Sequence, residues 1–127
     1  MAKSFREMHV WQLAFELQEQ VVALTKSGPA AKDFKFRDQL AASARSVSAN
    51  IAEGFGRYKP AEIMRFIDFA RASLDETESH LRSGVMGNYF PAETVGPLIR
   101  LAARCRTALG RWHTYLRRVK GDPRFRA

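Results

Sequence analysis

Apolar side chains recur along the chain at spacings of three and four, the period at which residues return to one side of an α-helix. Val10, Ala14, Leu17, Val21 and Leu24 form a first such run, and Gly28-Pro29 is expected to end its helix near Ser27. Phe36, Leu40, Ala44, Val47 and Ile51 form a second, closed by Gly54 and Gly56. Pro60, a residue suited to a first helical turn, opens a third that carries Ile63, Ile67, Ala70, Leu74, Leu81 and Val85 and stops around Gly87-Asn88. The fourth opens near Pro91 and is expected to fray at Gly96-Pro97. It then runs through Leu98, Ala102, Cys105, Leu109, Trp112, Leu116 and Val119 in alternating steps of four and three.

Strand-type alternation between turn pairs is missing, and short connections favour antiparallel neighbours. The expected fold is all-α, an antiparallel up-down-up-down four-helix bundle over residues 1–120. Residues 121–127, with Pro123 and three charged side chains, are expected to form a flexible basic tail. No repeat or low-complexity tract interrupts the pattern, and 127 residues suit one domain.

Two features exceed what a simple bundle needs. Trp11, Phe15 and Val22 lie about 100 degrees or more around the first helix from its Val10 stripe, and Phe66 and Phe69 do the same on the third. Exposed aromatic stripes mark interaction surfaces, so a second copy of the chain is the expected cover; a thick core within one chain is the alternative. On the second helix, Gln39, Ser43, Ser46, Asn50 and Glu53 form a small, polar seam beside the apolar face. Small side chains allow close helix approach, and Asn50 and Glu53 are placed to satisfy backbone groups or Arg57. The competing reading is a solvated flank.

Charge changes the picture most. The net charge is +8, and residues 91–127 hold nine Lys and Arg against two carboxylates, Glu93 and Asp122. Arg100, Arg104, Arg111 and Arg118 fall in one sector opposite the apolar seam, with Arg106, Arg117 and Lys120 on a flank. Guanidinium groups bind phosphate oxygens bidentately, so this row suits an RNA or DNA backbone. Two other readings remain: a solvated row, or pairing with the Asp68, Asp75 and Glu76 side of the third helix. Trp112 falls in the seam and Tyr115 lies to one side, which does not support sequence-specific readout.

Catalytic and metal chemistry finds little purchase. None of His9, His80 and His113 follows a glutamate by three residues, as a di-iron bundle requires. Glu76 and His80 stand one turn apart, too few for zinc, and Asp75 with Glu78 reads as acidic surface. Gly54-Phe55-Gly56 lacks the lysine and third glycine of a phosphate loop. The single cysteine, Cys105, sits among leucines and is expected to be a buried packing thiol. No cofactor, no metal and no enzymatic activity are expected. The longest stretch without charge, residues 83–92, is too short to span a bilayer, and no secretory signal is visible, so no membrane and a cytoplasmic location are expected.

The run Ser46-Val47-Ser48-Ala49-Asn50-Ile51-Ala52-Glu53-Gly54-Phe55-Gly56-Arg57, preceded by Gln39-Leu40, resembles the hallmark of bacterial four-helix-bundle proteins encoded in intervening sequences of large-subunit ribosomal RNA genes. Val10-Trp11-Gln12-Leu13-Ala14, Arg65-Phe66-Ile67 and Ala72-Ser73-Leu74-Asp75-Glu76 look like the same family's other signatures, so the similarity covers roughly residues 5–120. The resemblance implies a bundle that assembles into a homo-oligomeric ring, usually a pentamer. It also implies kinship with the accessory protein of diversity-generating retroelements, which binds nucleic acid and a reverse transcriptase. Ser46, Asn50, Glu53, Gly54, Gly56 and Arg57 are the motif positions. Ala41-Ala42 stand where the family often places two arginines, and Arg45 where an aliphatic residue is usual. The expected function is therefore a non-enzymatic homo-oligomer that binds nucleic acid backbone through Arg100, Arg104, Arg106, Arg111, Arg117 and Arg118. The alternative is a protein-interaction scaffold, with the basic row steering its partner.

Overall fold

The computed structural model describes residues 2–122 and 124. A 3-10 turn, Phe5–Glu7, leads into α1 (His9–Leu24), the single-turn α2 (Gly28–Lys32), α3 (Phe34–Phe55), α4 (Pro60–Met86) and α5 (Ala92–Lys120). No strand occurs among the described residues.

The four long helices close a ring, with α1 against α3, α3 against α4, α4 against α5 and α5 back against α1. Contacts between them run in opposite numerical directions, which makes every neighbour antiparallel. Ser43 meets Thr77 while Ser46 meets Ser73. Arg106 meets Glu78 while His113 faces Asp68. Gln18 meets Ser48 while Val22 lies beside Ala41 and Arg45, and Cys105 lies at Val10 while Leu24 lies beside Thr94 and Leu98. Chain reversals this short leave an up-down-up-down order as the simplest path.

Each apolar run supplies one wall of the core. Leu17, Leu40, Ile51, Ile67, Leu74, Leu81 and Leu109 are fully buried. Withdrawing each from water stabilises the fold by about 1.5–3 kcal/mol before chain entropy is counted.

The helix ends depart from expectation in three places. Thr25 caps α1 by donating its hydroxyl to the Val21 and Val22 carbonyls, so α1 stops before Ser27. Gly28, at φ 72, then makes a left-handed corner and Pro29 starts α2 rather than merely breaking α1. Gly54 does not close α3 but lies inside its last turn, buried, and Gly56 is the cap. A Cβ at Gly54 would stand 3.1 Å from the Phe66 Cβ, so the glycine marks the closest approach of α3 and α4 at that end. Finally, α5 does not fray at Gly96-Pro97. It runs unbroken because Val95 and Leu98 are buried on either side while Pro97 faces solvent, where the carbonyl left without a donor can bond water.

The end holding the α4–α5 turn is locked by Asp33. One carboxylate oxygen accepts the Phe36 amide at 3.1 Å, capping α3, and the other accepts the Tyr89 hydroxyl at 2.6 Å. Those bonds, Tyr89's first, hold the Asp33 carboxyl below its ordinary pKa, and the same contact raises that of Tyr89. Asn88 adopts φ 61 to turn the chain, and Tyr89 donates its amide back to the Gly84 carbonyl at 2.8 Å. Of the expected tail, Gly121, Asp122 and Arg124 are described, with Arg124 paired to Asp122 at 2.6 Å. Pro123 and residues 125–127 lie outside the described residues.

Candidate nucleic-acid interface

Helical pitch places the α5 arginines on two flanks. Toward α4, Arg106 is half-buried and bridges Asp75 at 2.9 Å and Glu78 at 3.1 Å, while Glu78 also holds Arg82 at 3.0 Å. Asp75 and Glu78 are thus the anionic half of an inter-helix clamp rather than bare acidic surface. His113 stands 4.0 Å from Asp68 on the same seam.

Away from α4 the situation reverses. Arg100, Arg104, Arg111 and Arg118 are exposed, as is Arg117 on the Arg106 side of the helix, and among the described residues none of the five has a carboxylate within 4.0 Å. Arg104 and Arg111 border a groove with His9 and Leu13 of α1 and with Thr107 and Ala108. Pairing with the acidic side of α4 therefore accounts for Arg106 alone. An outward row of unpaired guanidiniums can hold phosphate oxygens without first giving up an internal partner.

The motif positions of α3 resolve into packing roles. The polar seam is the α3–α4 interface: Thr77 donates to Ser43 at 2.9 Å, and Ser73 donates to Ser46 at 2.8 Å. Asn50 donates to the Ser46 carbonyl at 2.8 Å and to its hydroxyl at 3.0 Å. Glu53 accepts from Arg57 at 2.9 Å, and the Arg57 guanidinium lies 4.9 Å over the Phe66 ring. Gln39 and Glu53, both exposed, lie on the solvated flank of the seam. The partners Ser73 and Thr77 escape a count of apolar positions. The signal for Thr77 is the gap it leaves between Leu74 and Leu81, where a hydroxyl occupies a core position with 0% exposure.

The aromatic stripes are half-covered by the chain itself. Trp11 stacks on Phe15 with centroids 4.8 Å apart, and Phe5 of the 3-10 turn meets Trp11 edge-on at 5.1 Å. Val22 is half-buried beside Ala41. Phe66 is half-buried against Gly54, whereas Phe69 is 42% exposed with Arg65 5.5 Å above it. Phe5 went unnoticed in the pattern because its 3-10 turn is too short to show a period.

Other chemical groups are quiet. Cys105 is fully buried and burial pushes its thiol up to about 12, which keeps it protonated and unreactive. His80 and Glu76 face each other at 3.5 Å. No group of three metal-ligating side chains, and no helix long and apolar enough to cross a membrane, occurs among the described residues.

Fold and surface together define an all-α, antiparallel four-helix bundle whose last helix presents a cationic outer face. Comparison with known families narrows this: residues 6–111 match the 23S rRNA-intervening sequence protein family, and the chain belongs to it. Among curated proteins none matches the chain.

Proposed function

We propose that the protein is a non-enzymatic, homo-oligomeric bundle that binds nucleic acid backbone, RNA or DNA, through the outer face of α5. The observation that carries this reading is the contrast along one helix. Arg106 is neutralised by Asp75 and Glu78, while Arg100, Arg104, Arg111 and Arg118 point outward with no carboxylate within 4.0 Å among the described residues. Family membership is in keeping with it, since the family is named for an intervening sequence of 23S rRNA. Assembly into a ring, pentameric as the family resemblance implies, would multiply this face. Phe69 and the outer edges of Trp11 and Phe15 are the apolar surface available for subunit contact.

The test is binding of a fluorescent RNA followed across salt concentration. If about five phosphates are neutralised, log affinity falls with log salt at a slope near −4.5 on a duplex and near −3.5 on a single strand. Replacing Arg104, Arg111 and Arg118 together by Ala should flatten the slope and weaken binding. A salt-independent affinity, or binding unchanged in the triple variant, overturns the proposal. Light scattering should give a multiple of 14.4 kDa that Phe69→Glu lowers; a monomer at all concentrations removes the assembly.

A further inference from the structure

We infer that the strand this surface takes is single-stranded, with a base stacked on Tyr115. The inference rests on the nucleic-acid reading above and adds to it the form of the ligand.

Tyr115 follows Arg111 by four residues and precedes Arg118 by three, so all three project from one face of α5 over about 10.5 Å of helix. Tyr115 is 54% exposed and its ring makes no hydrogen bond or ring contact among the described residues. Tyr115 also walls a groove with Arg118, Val119, Asp122 and Arg124. The one carboxylate lining it, Asp122, is ion-paired with Arg124 at 2.6 Å, so its charge is balanced locally rather than presented alone to a phosphate. A second exposed ring, Tyr58 at 98%, lies beside Lys59 at the end of the bundle where α5 also finishes, though its other neighbour, Arg57, is engaged by Glu53.

Isolated apolar side chains on a surface are ordinary. An aromatic set between two unpaired cations is a different arrangement. Phosphates on the arginines bring the chain of a polynucleotide across the tyrosine face, where an unpaired base finds a stacking partner. A duplex offers no such face, because its bases are already stacked and only sugar and phosphate reach an outward-pointing ring. Stacking accepts any base, so the surface selects for strandedness and not for sequence.

The experiment compares a labelled 16-nucleotide RNA with the blunt duplex formed by the same strand, using the full chain. The expected result is tighter binding of the single strand, weakened about 5- to 150-fold by Tyr115→Ala and retained by Tyr115→Phe, with duplex binding unchanged in both variants. Thermal melting of each variant establishes that the bundle is intact. If single-strand affinity is the same in Tyr115→Ala as in the parent, or if the duplex binds as tightly, the inference fails while backbone binding stands. If neither probe binds, backbone binding fails first.

Discussion

The α3–α4 seam and the outer face of α5 use polar residues to opposite ends. In the seam, every hydroxyl that leaves water finds a partner: Ser43 with Thr77, Ser46 with Ser73 and Asn50. Side chains there are small, and Gly84 and Gly54 let the helix meet neighbouring rings at contact distance. On the α5 face the side chains are long and charged, and nothing in the described chain answers them. A satisfied polar group lends the fold its geometry and has no capacity left. An unsatisfied, exposed one lends the fold almost nothing and keeps its capacity for a ligand.

That difference is sharpest in what substitution should do to stability. Gly84→Ala should be the most damaging, because the new methyl would fall 2.5 Å from two atoms of the Phe90 ring and 3.1 Å from Phe36. A loss of about 2 kcal/mol in urea denaturation is expected; a change below about 0.5 kcal/mol would mean the ring relocates freely. Thr77→Val keeps the shape and removes the hydroxyl that ties α4 to Ser43, at an expected cost of about 1 kcal/mol by the same measurement. Arg106→Ala opens the clamp on Asp75 and Glu78. Both acids are partly solvated, so melting should show a loss of less than about 1 kcal/mol that shrinks in high salt. Arg104, Arg111 and Arg118, replaced together by Ala, should leave the melting temperature within a degree or two, since each lies outside any pair. A large drop in that variant would place these arginines in the fold, and the contrast would dissolve.

Periodicity exposed the four helices because each buries one stripe, and burial is what periodicity records. The same record misleads at boundaries. Gly54 reads as a stop, yet its missing side chain serves the approach of Phe66, and Pro97 reads as a fray although Val95 and Leu98 anchor the turn around it. Among the arginines, the outward row was legible from spacing alone. The separation of Arg106 was not, since it depends on which carboxylates of α4 sit across the seam. Asp33 with Tyr89 and Ser46 with Ser73 are likewise contacts between distant positions, and a one-dimensional pattern carries no register between helices. Tyr115 was visible but placed beside the row; its exposure, and the groove it walls, came with the third dimension.

The single thiol, at the α1–α5 contact, gives the molecule a clock. Cys105 lies 3.9 Å from the Val10 carbonyl, wholly shielded, with its proton held to about pH 12. A thiol reagent can reach it only when α1 swings off α5 or the whole chain opens. The rate of its modification in native buffer therefore counts those excursions directly, at one site, without any label having been introduced.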